Sequence, residues 1–199
     1  MNTANGTAHT RRVAGVNQLA FLILVGLAVT TAGAESFYVA VDGRPENDGS
    51  LTKLWPSVEY ALSQVGGKHT IIVKPGIYRG PMQIAKQYAG TKERPTVIQS
   101  EVKWQAVIIG AEYHVISNDD GCDRLVIDGF EVMGGRYDGV KMNGDYNVVR
   151  NCWVHNNKAM GIAMHNQKGG VIENNLIEYN ASGPLYGHGV LCRWRGVDR

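Results

Sequence analysis

Three versions of one short strand carry the residue types that proton abstraction beside a carboxylate requires. They read Asp138-Gly139-Val140-Lys141-Met142, Met160-Gly161-Ile162-Ala163-Met164 and His188-Gly189-Val190-Leu191-Cys192. Aligned, they put Asn143, His165 and Arg193 in one outward column, with Lys141 two residues before Asn143 on the same face. Removing a proton α to a carboxylate takes a base and a positive group to hold the developing charge. A lysine acts as a base where neighbouring cations favour its neutral form. Lys141 is the candidate base, and His165 or Arg193 the group that neutralises the carboxylate. Plain surface polarity is the competing account.

Three further constellations have chemical potential. Asp128, Arg150 and Glu173 recur once per repeat and suit sugar hydroxyls or carboxylates, although their alternating sign is equally that of a solvated charge ladder, worth at most about 1 kcal/mol per exposed pair. Asn118-Asp119-Asp120-Gly121-Cys122-Asp123 packs several oxygens into six residues, which suits a hard cation such as Ca²⁺. An ordinary turn ahead of the strand at Leu125 explains the same run. Trp153, outward beside Arg150, and Tyr137, at the turn before Asp138, are candidate flat surfaces for the apolar face of a sugar, with the insertion at Pro184-Leu185-Tyr186 as a wall beside them, or as a cover over Trp153.

The elements that must position these groups come from a repeat. Read as the first strand of each copy, Val126-Ile127-Asp128-Gly129-Phe130-Glu131-Val132 aligns with 148–154 and again with 171–177, so that Ile127, Val149 and Ile172 are equivalent at offsets of 22 and 23 residues. Val132, Val154 and Ile177 form a second column, Phe130, Cys152 and Asn175 a third, Val140, Ile162 and Val190 a fourth, and Met142, Met164 and Cys192 a fifth. A period this short leaves no room for a helix, and each unit can bury its apolar face only against its neighbours. Equivalent residues then stack at about the 4.8 Å interstrand spacing of a parallel β-solenoid. Asn151 and Asn174 take the place of Gly129, where a buried asparagine can bond its equivalent in the next coil. An antiparallel β-sandwich also spaces strands regularly, but it does not repeat residue types column by column.

Ahead of the repeat, Phe37 to Val41 reads as a strand. Pro56 opens a helix with Val58, Ala61, Leu62 and Val65 on one face, suited to capping the first coil. Thr70 to Lys74, stopped by Pro75-Gly76, is the first strand beneath it, and 96–99, 106–109 and 113–117 are strands of less regular coils. The Asn47-Asp48-Gly49 turn, the helix, the run from Ile71 to Arg79 and the later Asn174 to Asn180 resemble right-handed parallel β-helix proteins of the pectate-lyase-like superfamily, over roughly 37–192. The resemblance implies an all-β right-handed parallel β-helix with a short N-terminal capping helix. It also implies a Lys or Arg base, commonly with Ca²⁺, and Asp119, Asp120 and Asp123 are similar to a calcium-binding run of one pectate lyase family. That family draws a further Asp from the preceding coil, whereas no Asp occurs between Ser50 and Asn118. The superfamily holds lyases, glycoside hydrolases, epimerases and proteins without known catalysis.

The chain has 199 residues and a net charge of +2 with no basic run, which gives no argument for a nucleic-acid partner. Arg11-Arg12, the apolar stretch Leu19 to Val29 and Ala32-Gly33-Ala34 predict a secretory signal over 1–34 and a secreted or periplasmic chain from Glu35. Eleven residues are short for a membrane anchor. Cys122, Cys152 and Cys192 are an odd count that cannot pair completely. Cys152 and Cys192 fall in inward columns as small fillers. The expected organisation is 35–69 for the first strand and helix, 70–192 for the coils and 193–199 for an unpatterned tail, as in a C-terminally truncated member. No Gly-rich phosphate loop, His triad or Gly-X-Ser-X-Gly elbow occurs, and Asn180-Ala181-Ser182 is a weak glycosylation pattern. The expected function is binding or β-elimination of an acidic polysaccharide, by a monomer if the chain is complete. A non-catalytic carbohydrate-binding or scaffold protein is the alternative, and a glycoside hydrolase or uronate epimerase comes third. Hydrolysis needs two carboxyls at a set separation, and Asp128, Glu131 and Glu173 supply no decisive pair.

Overall fold

Alternation of apolar and polar residues sends every second side chain of each strand inward, and short turns carry the chain round to stack the next coil on the last. The computed structural model describes residues 34–181 and 188–194. The expected signal segment, the Pro184-Leu185-Tyr186 insertion and residues 195–199 lie outside them.

After β1 (Ser36–Val39) and α1 (Val58–Val65), five coils follow, each of three strands. They are β2 (Thr70–Val73), β3 (Gly76–Arg79) and β4 (Met82–Ile84); β5 (Thr96–Ser100), β6 (Ala106–Ala111) and β7 (Ile116–Asn118); β8 (Leu125–Asp128), β9 (Glu131–Gly135) and β10 (Val140–Asn143); β11 (Val148–Arg150), β12 (Trp153–His155) and β13 (Ile162–Gln167); and β14 (Val171–Glu173), β15 (Leu176–Glu178) and β16 (Val190–Trp194). The first sheet runs β1-β2-β5-β8-β11-β14, the second β3-β6-β9-β12-β15 and the third β4-β7-β10-β13-β16. Every pairing between these strands is parallel. The chain is a parallel β-helix.

The expected inward columns are in register: Ile71, Ile98, Ile127, Val149 and Ile172 in the first sheet, Ile108, Val132, Val154 and Ile177 in the second, Met82, Ile116, Val140, Ile162 and Val190 in the third. Most are fully buried in one continuous core. Each such Ile or Val contributes about 1.5–3 kcal/mol. Cys152 sits in that core, where burial pushes its thiol up to about 12, as expected of an inert filler. Cys192 keeps register with Met164 but is exposed, since no described coil covers its far side. The filler role expected for it does not hold there.

Three expectations need correction. The segment 126–132 is not one strand: β8 and β9 lie in different sheets, separated by a sharp bend, and the same holds for 148–154 and 171–177. Gly129 (φ 79°), Asn151 (φ 56°) and Asn174 (φ 55°) make that bend in the left-handed region, which asparagine tolerates better than other side chains. Asn151 and Asn174 therefore serve the bend and are half-buried and exposed. The buried amides that tie coil to coil are instead Asn118, Asn147 and Asn157. Finally, β16 extends through Arg193 and Trp194, so the patterned chain continues two residues beyond 192.

At the N-terminal end, Ser57 accepts the Tyr60 N–H at 3.1 Å to start α1, and Gly66 (φ 76°) ends it with its N–H on Leu62 O. Val58, Ala61 and Leu62 are buried in the same cluster as Val39, Ile71 and Ile84. One glycine position is forced by close approach: a Cβ on Gly139 would lie 2.5 Å from Val154 Cγ1 and 2.8 Å from Gly161 O.

Candidate functional site

Pairing fixes what the third sheet shows to solvent. Asn143 pairs with His165 and His165 with Arg193, so the three form a column, while Lys141 pairs with Ser117 on one side and Ala163 on the other. Val140 and Met142, which flank Lys141, are fully buried and define the opposite face. Lys141 thus stands about 6.7 Å along the strand from Asn143 and, with a rung spacing of about 4.8 Å, about 8 Å on the diagonal from His165.

The electrostatics agree with that proximity. Burial first, then the charges of Lys141 and Arg193, hold the His165 imidazole below its ordinary 6.5, against an opposing pull from Asp138. His165 is consequently a neutral ring between two cations at neutral pH. Because the unfolded chain takes up this proton more readily, the stability linked to His165 is intact above pH 6.5 and is lost as pH falls below it. In Lys141→Met the titration midpoint of His165 will rise, as followed by imidazole NMR shifts. An unchanged midpoint would separate the two side chains.

Beside this face the turns after β3, β6 and β9 enclose a groove of about 730 Å³, lined by Arg79, Gln83, Tyr113, His114, Ser117 and Arg136 among others. Gln83 and Ser117 are the preceding members of the Lys141 column, so groove and column are continuous. Tyr137 lies at its edge, 39% exposed, stacked on Tyr113 at 5.4 Å and 20°. Two exposed tyrosines in offset contact make a flat apolar surface beside the cations. Arg136 pairs with Glu112 at 2.7 Å, and both are exposed, which leaves the arginine accessible to a competing carboxylate.

Of the residues expected to act, the structure brings together Lys141, Asn143, His165, Arg193 and Tyr137. It separates the rest. Asp128, Arg150 and Glu173 do form one column, but on the first sheet. Asp128 accepts Arg150 Nε at 2.8 Å and Asn151 Nδ2 at 2.8 Å, so both its oxygens are engaged by neighbours. The charge-ladder reading describes them. Trp153 is on the second sheet, across the bend from Arg150 rather than beside it. Its ring stacks on His155 at 4.2 Å, meets Trp104 at 5.7 Å and donates its indole N–H to Glu178. Trp104 is the cover over Trp153.

The expected Ca²⁺ ligands do not converge either. Asp119 faces the Lys86 N–H and Gln83, while Asp123 accepts the Asp145 N–H at 2.8 Å. Among the described residues, no group of three or more His, Cys, Asp or Glu side chains is placed to hold a metal ion. Asp119 and Asp123 are thus held by different segments of backbone, and the three aspartates do not fit as a ligand set.

Arg79, Tyr113, His114 and Arg136 went unread in the sequence. One signal was there: Tyr113-His114-Val115-Ile116 aligns with Tyr137-Asp138-Gly139-Val140, as the pairing of Ile116 with Val140 shows.

The fold defines a class, a parallel β-helix whose outward side chains stand in stripes along stacked coils. Residues 99–193 match the family described as the right handed beta helix region. The structure is similar to the crystal structure of pectate lyase Pel9A, with a TM-score of 0.54 and 21% identity over 68% of this chain and 39% of that one. It is also similar to a rhamnogalacturonan lyase, with a TM-score of 0.54 and 13% identity over 83% of this chain and 64% of that one. The chain thus has the fold of a right-handed parallel β-helix, and it spans less than two thirds of the length of either protein. No match was found among curated proteins. No helix among the described residues is long and apolar enough to cross a membrane.

Proposed function

We propose that the third-sheet face and its groove bind an acidic polysaccharide and cleave it by β-elimination. The observation that carries this reading is the register of Lys141 beside the Asn143–His165–Arg193 column, continuous with a groove that adds Arg79 and Arg136. Such a row of cations suits a chain of uronate carboxylates spaced along a rod. In this reading Lys141 takes the proton α to the carboxylate, Arg193 with the neutral His165 holds that carboxylate, and Asn143 and Tyr137 contact the sugar. Holding the anion matters most as negative charge develops on the carbon, because a cation placed there in advance costs no reorganisation at the moment of reaction. The similarity to two proteins named as lyases supports the choice of reaction class. In the same reading the segment ending at Ala34 directs export, and N-terminal sequencing of protein recovered outside the producing cell is expected to begin at Glu35.

The test is to incubate the chain with pectate, rhamnogalacturonan, alginate and chondroitin and follow the ultraviolet absorbance of unsaturated ends. One polymer is expected to give a rising signal, with binding that weakens as salt is added. Binding without any absorbance would favour a non-catalytic carbohydrate-binding protein, and neither binding nor absorbance would overturn both readings.

A further inference from the structure

The cleavage just described also needs an acid, and, resting on that reading, we infer that His114 held by Asp138 protonates the departing sugar oxygen. The pairing of Ile116 with Val140 stacks His114 on Asp138 in adjacent coils, and the Val115 N–H donates to Asp138 O at 3.1 Å. Asp138 is 6% exposed, an uncommon place for a carboxylate. Its Oδ1 accepts the Met160 N–H at 3.1 Å, and its Oδ2 lies 3.1 Å from His114 Nδ1. That approach is short but out of line for a hydrogen bond, and Nδ1 is buried with no other partner among the described residues. A small rotation of the ring aligns it. The carboxylate then fixes the Nδ1–H and balances a charged ring, which leaves Nε2–H as the proton donor.

The ring is also in the right place. It lines the groove, with Tyr137 edge-on at 6.1 Å, and so does Ser117, the register neighbour of Lys141. The charged and titratable groups around it are Asp138 from the following coil, Arg79 from the end of β3, Glu112 and Tyr113 from its own turn, Arg136 and Tyr137 from the next turn, and Lys141 and His165 from the third sheet. In the elimination the C5–H bond breaks with its proton going to Lys141, and the electron pair left behind forms the C4=C5 bond. The C4–O4 bond breaks with its electrons on O4, and O4 takes the Nε2 proton of His114. Solvent then reprotonates the ring and removes the proton from Lys141, so no further reactant is needed.

The experiment compares wild type, His114→Gln and Asp138→Asn on the polymer that wild type cleaves, and on a uronate carrying an aryl leaving group that departs without an acid. His114→Gln is expected to lose at least about a hundredfold in kcat on the polymer and to keep near wild-type rates on the aryl substrate. Asp138→Asn keeps the acceptor for the Met160 N–H and is expected to lose kcat on the polymer to a smaller extent, with KM and the aryl rate kept. Unchanged polymer rates in both variants, or equal losses on the two substrates, overturn the role of His114 while cleavage itself stands. If His114→Gln does not fold, Asp138→Asn decides alone by whether its loss is confined to kcat on the polymer. If wild type cleaves no polymer, the cleavage reading falls and this inference with it.

Discussion

Lys141→Met will lower kcat on the cleaved polymer by about a thousandfold and leave KM within roughly tenfold. The magnitude follows from removing a positioned base, worth 10²–10⁴ in rate, and corresponds to about 4 kcal/mol of barrier. Methionine keeps the apolar stem that packs between Ser117 and Ala163, so the strand is not disturbed and the loss reports the amine alone. Arg193→Gln is the informative contrast. A group that holds the carboxylate in both ground and transition states moves KM more than kcat, so the two variants should fail in different parameters. Because Lys141 also depresses the His165 proton affinity, the same Lys141→Met protein must show the raised His165 midpoint. A variant that keeps its rate within tenfold while the midpoint moves would place Lys141 beside the reacting atoms without acting on them.

Strand pairing was legible because alternation and stacking are long-range constraints that act on every coil in the same way. Ile127, Val149 and Ile172 share a type since each fills the same slot in the same core, and Asn143, His165 and Arg193 followed as the residues one step out of phase. Turns obey no such rule. The connection from second to third sheet takes two residues after β3, four after β6 and β9, and six after β12. A fixed period therefore carries His114 onto Asp138 across the equal turns after β6 and β9, but neither back to the shorter turn after β3 nor on to the longer one after β12. The bend between β8 and β9 left one sign that went unread: the inward phase shifts by one residue, from Leu125 and Ile127 before Gly129 to Phe130 and Val132 after it. Trp153 then looked like a neighbour of Arg150 when it belongs to another sheet. Local composition misled most at Asp119, Asp120 and Asp123, where density of oxygens along the chain said nothing about convergence in space.

The asparagine tie between coils supplies the largest stability effect, because it is buried, polar and shared. Asn118 is 3% exposed at the end of β7. Its Nδ2 donates to Cys122 O at 2.9 Å and Asn143 O at 2.8 Å, and its Oδ1 accepts the Asn143 N–H at 2.7 Å. Asn118→Leu nearly conserves volume, so no cavity term enters, but it orphans the Asn143 N–H and the Cys122 carbonyl. The Asn143 carbonyl keeps Asn147. At about 1–3 kcal/mol for each orphaned buried group, the cost is roughly 4 kcal/mol in denaturant unfolding. Asn174→Gly makes the control, since that exposed bend residue already sits at φ 55° where glycine is at ease; its stability will change by less than about 1 kcal/mol. The consequence reaches the site. Asn143 donates its own Nδ2 to Asn118 O at 2.9 Å, so the residue that continues the His165 column is held in place from the coil beneath. Asn118→Leu should therefore weaken polymer binding without touching the ligand, in the temperature range where the variant is still folded. A loss below 1 kcal/mol, with binding unchanged, would mean that water or a shifted turn satisfies these groups and that the coils are held by apolar stacking alone.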